Sequence, residues 1–104
     1  MEKRGCRRKI KRLNITFADE NEEYSGISSD FSCKGLFIRT RKGFREGITL
    51  HMQLEIENGV KIPLHGTVRR SLKPSTEIHK SGMGVELISI PAEYVDFIEK
   101  LYKD

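Results

Sequence analysis

Two short stretches of the 104-residue chain carry side chains suited to binding an anion. The first stretch, at residues 4–8, places Arg4 and Arg8 four positions apart. A guanidinium group holds a phosphate, or the O6 and N7 atoms of guanine, through two parallel hydrogen bonds. We therefore expect this stretch to bind phosphates or guanine edges.

The second stretch, at residues 30–35, supplies groups that arginine lacks. Asp30 offers acceptors for the N–H edge of a guanine-like base, and Ser32 is both a donor and an acceptor. Gly35 has no Cβ, so backbone can approach a ligand closely there. Asp and Ser are also common in turns, where they bond nearby backbone amides, so only the two stretches together predict a guanine nucleotide.

The order and spacing of these residues resemble the signature of the PilZ domain family, Arg-x-x-x-Arg followed by Asp/Asn-x-Ser/Ala-x-x-Gly. All five marker positions are filled, with 21 residues between Arg8 and Asp30. Segments 66–70 and 82–87 are similar to two later strands of the family, so the resemblance covers almost the whole chain. It implies a bacterial receptor for cyclic di-GMP, built on a six-stranded antiparallel barrel of the split type.

The resemblance also implies which residues contact the ligand. The candidate ligand-binding residues are Arg4, Arg8, Asp30, Ser32 and Gly35. Lys3 lies just before the first motif arginine, a place that bears on whether family members hold one or two ligand molecules. Arg7 and Lys34 are weaker candidates, since they add charge without occupying a motif position. The ligand implied is cyclic di-GMP, with no cofactor.

The net charge of +4 is unevenly distributed along the chain. Residues 1–12 hold seven basic residues and one acidic residue, a net of +6, so the other 92 residues sum to −2. A basic arm on a slightly acidic body indicates an anionic partner that binds locally, although a solvated terminal tail has the same composition. We expect residues 1–11 to form a mobile arm of a single domain that spans residues 1–104.

Composition predicts a small cytoplasmic protein. An apolar fraction of 37% beside a charged fraction of 33% fits a soluble domain with a thin core. No apolar run approaches the roughly 20 residues of a spanning helix, and no apolar segment follows the basic start as in a secretory signal. Cys6 and Cys33 are therefore expected to be reduced thiols. They lie in the two motifs, so a redox-sensitive link between them is an alternative.

Hydrophobic alternation predicts a mainly β structure. The predicted strands cover about 12–17, 24–29, 35–40, 48–56, 60–70 and 83 to either 87 or 89, with a hairpin turn at Asn58-Gly59. Pro63 predicts an edge or a bulge near the start of the fifth strand, because proline cannot donate to a ladder. After Pro91, apolar residues at three- and four-residue spacing predict an amphipathic helix that covers one end of the barrel.

The remaining side chains with chemical potential do not form a recognisable catalytic or metal-binding pattern. His51, His65 and His79 are scattered, each without a cysteine or carboxylate at ligand spacing, so no metal site is predicted. No serine has an evident His and acid partner, and the carboxylates cluster in turns. We therefore expect a binding protein rather than an enzyme.

Three functional hypotheses follow. The first is a cyclic di-GMP receptor, in which the arm and the second motif close on the ligand and alter the surface shown to a downstream protein. The second is a small barrel that binds single-stranded nucleic acid, which is disfavoured because residues 1–12 contain no aromatic side chain for base stacking. The third is a PilZ-like adaptor that acts only through protein contacts.

Overall fold

The computed structural model describes residues 11–40, 44–56, 59–72 and 81–103. Within the last of these ranges, side chains are described only as far as residue 101. The chain forms six strands and one helix. Their bounds are β1 Leu13–Ala18, β2 Glu23–Ser29, β3 Gly35–Arg39, β4 Thr49–Glu55, β5 Lys61–Leu72, β6 Gly82–Ser89 and α1 Ala92–Lys103.

The six strands close into an antiparallel barrel in the order β1-β2-β3-β6-β5-β4. This confirms the six-stranded antiparallel barrel that the family resemblance implies. In β4, Leu50, Met52 and Leu54 are buried in the barrel, whereas His51 and Gln53 are exposed to solvent. Because successive side chains point to opposite faces, this pattern fixes which face of the sheet becomes the interior.

Helix α1 completes the core. Tyr94, Ile98 and Leu101 are buried and belong to the same apolar cluster as the inward side chains of the strands. Pro91 precedes the helix, and its carbonyl oxygen accepts hydrogen bonds from the N–H groups of Tyr94 and Val95. The amphipathic helix predicted after Pro91 is therefore confirmed, with its apolar face packed against the barrel interior.

The connections follow ordinary turn chemistry. Between β1 and β2, the Asp19 carboxylate accepts the N–H groups of Asn21 and Glu22, at 2.8 and 3.0 Å. Between β4 and β5, the Ile56 N–H donates to the Val60 carbonyl oxygen, and Gly59 has a φ of +74°, a conformation that glycine adopts without strain. Asn58 of the predicted hairpin turn lies outside the described residues.

Strand β5 pairs with only one neighbouring strand at its start, and its pairing with β6 contains two bulges. Pro63 pairs with Gln53 of β4, but pairing with β6 begins only at His65, so the proline lies where β5 has one neighbour. The predicted edge position of Pro63 is therefore confirmed. The bulges lie further along, between His65 and Gly66 and between Val68 and Arg70.

Candidate functional site

The second motif forms the connection between β2 and β3, which we call the motif loop (residues 30–35). Asp30 has a φ of +53°, and among the described non-glycine residues it alone has a positive φ. Aspartate is one of the few side chains that tolerates this region, so the residue type fits its place. Within the described part of the chain, the Asp30 carboxylate makes no hydrogen bond, unlike the carboxylate of Asp19.

Ser32 and Gly35 close the motif loop on itself. The Ser32 N–H donates to the Gly35 carbonyl oxygen at 2.9 Å, and the Ser32 hydroxyl lies 3.3 Å from the same oxygen. The Lys34 N–H lies 3.4 Å from the Ser32 Oγ. From the neighbouring strand, the Leu87 N–H donates to the Lys34 carbonyl oxygen at 2.8 Å. The loop is thus a bonded turn, and Ser32 has a structural role whatever its contact with a ligand.

Gly35 also has a structural reason to be glycine. It pairs with Glu86 of β6, and a Cβ built on Gly35 would lie 2.3 Å from the Val85 carbonyl oxygen. No real Cβ comes so close to a backbone atom, so a side chain here would force β3 and β6 apart. The close approach that the glycine permits in the structure is therefore that of strand β6.

A surface cavity of about 520 Å³ lies beside the motif loop, on the outer face of β3, β6 and β5. Its volume is in the range of small-molecule sites. The charged residues that line it are Asp30, Lys34, Arg39, Arg69, Arg70 and Glu86. The four cations outnumber the two carboxylates, so the cavity favours an anionic ligand.

The floor of the cavity contains little side-chain bulk. Gly35 and Gly84 both line it, and a Cβ on Gly84 would meet only the Arg70 Cβ, at 3.7 Å. Phe37 pairs with Gly84 across β3 and β6, is half-buried and also lines the cavity. An aromatic ring beside an open floor gives a planar base a surface on which to stack.

The bulge in β5 explains why two successive arginines line the same cavity. Val68 pairs with Val85 and Arg70 pairs with Gly84, so Arg69 is the extra residue. A bulge places two residues opposite one and re-aims their side chains, which a regular strand would send to opposite faces. The Arg69 Nε donates to the Glu86 Oε1 at 2.6 Å. Since these side chains are 65% and 49% exposed, the pair contributes little stability, but it offsets the Glu86 charge beside the cavity.

The structure thus brings together the predicted residues Asp30, Ser32, Lys34 and Gly35, all of which line the cavity. The predicted residues Lys3, Arg4, Arg7 and Arg8 of the arm lie outside the described residues, as does Cys6. Sequence reasoning missed the strand residues Arg39, Arg69, Arg70, Glu86 and Phe37. Arg69 and Arg70 are adjacent charged residues inside a strand, so they interrupt its alternation of apolar and polar side chains. This interruption could have predicted the bulge from the sequence.

Cys33 differs from the sequence-based expectation. It is disulfide-bonded in the structure, whereas the absence of an export signal predicts a reduced thiol. The alternative given with that prediction, a redox-sensitive link between Cys6 and Cys33, does allow for a bond at Cys33, and Cys6 lies outside the described residues. The sequence contains one other cysteine.

Two of the three histidines, which are far apart in the sequence, lie next to each other in the structure. His51 and His65 face each other across β4 and β5, with ring centroids 4.7 Å apart and an interplanar angle of 88°. The hairpin register, which their sequence separation hides, brings them together. Within the described ranges, no three His, Cys, Asp or Glu residues are grouped as a metal site would need. His79 lies outside those ranges.

The fold and cavity define a small β-barrel with a predominantly cationic surface beside a structured loop. Comparison with protein families finds a match to the PilZ domain over residues 2–103, so the chain belongs to this family. PilZ domains are ligand-binding domains of the cyclic di-GMP receptor family rather than enzymes.

Among solved structures, the chain is similar to the Bacillus subtilis inhibitor of motility (MotI/DgrA), with a TM-score of 0.79 and 20% sequence identity. The match covers 99% of this chain and 51% of that protein, so this chain spans about half its length. At this identity the similarity shows the shared fold. A comparison with curated protein sequences finds no match. Among the described residues, no helix has the length and apolar character needed to cross a membrane.

Proposed function

We propose that this chain is a receptor for cyclic di-GMP and that the ligand lies in the cavity between the motif loop and the β5 bulge. One observation carries the proposal: the motif residues Asp30, Ser32 and Gly35 share a cavity with three arginines from two strands. A ligand with two phosphates and two guanines matches this combination, because it offers both anionic groups and N–H edges.

The roles of the residues follow from their chemistry. The Asp30 carboxylate accepts hydrogen bonds from the N–H edge of a guanine, since it makes no hydrogen bond to any other described residue. Arg4 and Arg8, at the family's motif positions, grip the phosphates and the Hoogsteen edges. The basic arm thereby closes over a ligand that already contacts the motif loop, and this closure changes the surface shown to a downstream protein.

A titration calorimetry experiment with cyclic di-GMP tests this proposal. We expect Arg8→Ala to lower the affinity at least tenfold, about 1.4 kcal/mol, without changing the thermal midpoint. Arg12→Ala is the matched control, because Arg12 also belongs to the basic N-terminal region but is exposed and does not line the cavity. Equal affinities for wild type and Arg8→Ala would remove that arginine from the site.

The two alternatives give different outcomes in the same experiment. A binder of single-stranded nucleic acid should prefer a short oligonucleotide and lose affinity steeply with salt, in proportion to the phosphates contacted. An adaptor that acts only through protein contacts should bind neither ligand. The receptor should bind cyclic di-GMP in preference to GTP and respond mildly to salt, because base edges contribute to recognition.

A further inference from the structure

Helix α1 contacts the motif loop through Tyr94 and Phe97, two side chains that do not line the cavity. Tyr94 is fully buried, and its hydroxyl donates to the Ser32 carbonyl oxygen at 2.7 Å. The same hydroxyl lies 3.2 Å from the Gly35 carbonyl oxygen. These two carbonyl groups lie at the two ends of the Ser32–Gly35 turn. One side chain of the helix therefore fixes the distance across the turn whose other surface lines the cavity.

An aromatic contact connects the same two elements. Phe31 is fully buried, and its ring meets Phe97 of α1 in an edge-on arrangement with centroids 5.1 Å apart. Tyr94 and Phe97 are themselves neighbours, with centroids 6.0 Å apart. Aromatic pairs of this kind have defined geometries, so a shift of the loop has to move the helix side chains as well.

The polar groups of the motif loop depend on this support. Asp30 has a positive φ, which aspartate tolerates but which contacts of the neighbouring residues help to hold. Phe31, the next residue, is held by Phe97, and the turn that follows is held by Tyr94. The orientation of the Asp30 and Ser32 side chains toward the cavity is therefore set in part by contacts that no ligand touches.

We propose that Tyr94 is a positioning residue that sets ligand affinity through the motif loop, and that ligand binding is thereby coupled to helix α1. This inference rests on the proposed function. Coupling is reciprocal: if the helix contact improves the loop for the ligand, the bound ligand must strengthen the docking of the helix by the same factor. A ligand bound in the cavity then stabilises the docking of helix α1 through the motif loop, without contacting the helix.

Tyr94→Phe tests this inference because it removes the hydroxyl and keeps the ring. Tyr24→Phe is the matched control: Tyr24 packs against Phe17 and Phe44 at another part of the barrel, and its hydroxyl bonds Glu22. In calorimetry below both thermal midpoints, we expect Tyr94→Phe to weaken cyclic di-GMP binding about fivefold, the effect of one hydrogen bond. Tyr24→Phe should bind as wild type does.

Amide hydrogen exchange supplies the readout that a merely structural role would not change. In the free protein, Tyr94→Phe should speed exchange at the Ser32 and Leu87 N–H groups, whose acceptors are the Gly35 and Lys34 carbonyl oxygens. In wild type, saturating ligand should slow exchange at the Val95 N–H, whose acceptor precedes α1. This protection should be smaller in Tyr94→Phe.

The possible outcomes separate the inference from the function on which it rests. If wild type and Tyr94→Phe bind equally and protect α1 equally, the positioning role is refuted while the receptor stands. If wild type does not bind cyclic di-GMP, the receptor proposal fails and the effect of Tyr94 on ligand affinity fails with it. Faster exchange at Ser32 and Leu87 in Tyr94→Phe would then still show that Tyr94 holds the loop, and unchanged exchange would refute that as well. If Tyr94→Phe fails to fold, Phe97→Leu takes the place of that variant in both assays, because it removes the aromatic contact with Phe31.

Discussion

Replacing Gly35 with alanine should disrupt the barrel before it affects the ligand. The new Cβ would lie 2.3 Å from the Val85 carbonyl oxygen, whereas ordinary contact begins at 3.4 Å, so β3 and β6 would have to separate by about 1 Å. The Leu87 N–H and the Lys34 carbonyl oxygen, 2.8 Å apart next to this point, would then lose their hydrogen bond.

The size of the effect follows from these two changes. Overpacking at a rigid site costs about 1–3 kcal/mol, and a lost backbone hydrogen bond costs about 1 kcal/mol. We therefore expect Gly35→Ala to lower the free energy of unfolding by about 2–4 kcal/mol. For a domain of this size, that corresponds to a fall in Tm of about 9–18 °C, measured by circular dichroism.

Gly84→Ala is the matched comparison, because Gly84 also lines the cavity but has open space where a Cβ would lie. We expect its Tm to stay within a few degrees of wild type, since the nearest atom, the Arg70 Cβ, is 3.7 Å from the new methyl group. The methyl group would occupy the cavity floor and weaken ligand binding. A Gly35→Ala variant with unchanged Tm and reduced affinity would refute the structural argument, as would equal loss of Tm in both variants.

Two further predictions concern the charged groups of the cavity. Arg70→Ala should weaken cyclic di-GMP binding about tenfold or more, because a bidentate contact contributes about 1–3 kcal/mol; Arg45→Ala, an exposed arginine outside the cavity, should leave the calorimetric affinity unchanged. Equal affinities for these two variants would exclude Arg70 from the site. Asp30→Asn should preserve Tm, because asparagine also tolerates a positive φ, yet lower the affinity at least tenfold by replacing the carboxylate acceptor. A fall in Tm with unchanged affinity would assign Asp30 to the turn alone.

The faces of the strands were predictable because that information is local, whereas the six-stranded barrel was implied by the resemblance to the PilZ family. Strict alternation in β4 assigns Leu50, Met52 and Leu54 to the interior, and a one-residue slip would expose all three. The helix after Pro91 follows in the same way from apolar residues at three- and four-residue spacing. The predicted and observed ends of the strands differ by at most two residues. Backbone pairing with the neighbouring strand, rather than the side-chain pattern, decides where each strand ends.

The candidate site was predictable only in part. The motif loop could be found because Asp30, Ser32 and Gly35 lie within six consecutive residues and carry their spacing with them. The arginines of β3 and β5 could not be assigned to the same cavity, because their proximity depends on the position of β6 between those strands and on the bulge at Arg69. The His51 and His65 pair was hidden for the same reason, since only the hairpin register places the two rings together.

The sequence by itself determined the strand faces, the helix, the family resemblance and the motif loop, because periodicity and short-range spacing are properties of neighbouring residues. Only the tertiary structure decided why Gly35 is glycine, which cations surround the loop, and that Tyr94 supports it from a helix 62 residues further along the chain than Ser32. Each of these depends on the closure of the barrel, which brings distant segments within ångströms of one another and leaves no trace in the local pattern.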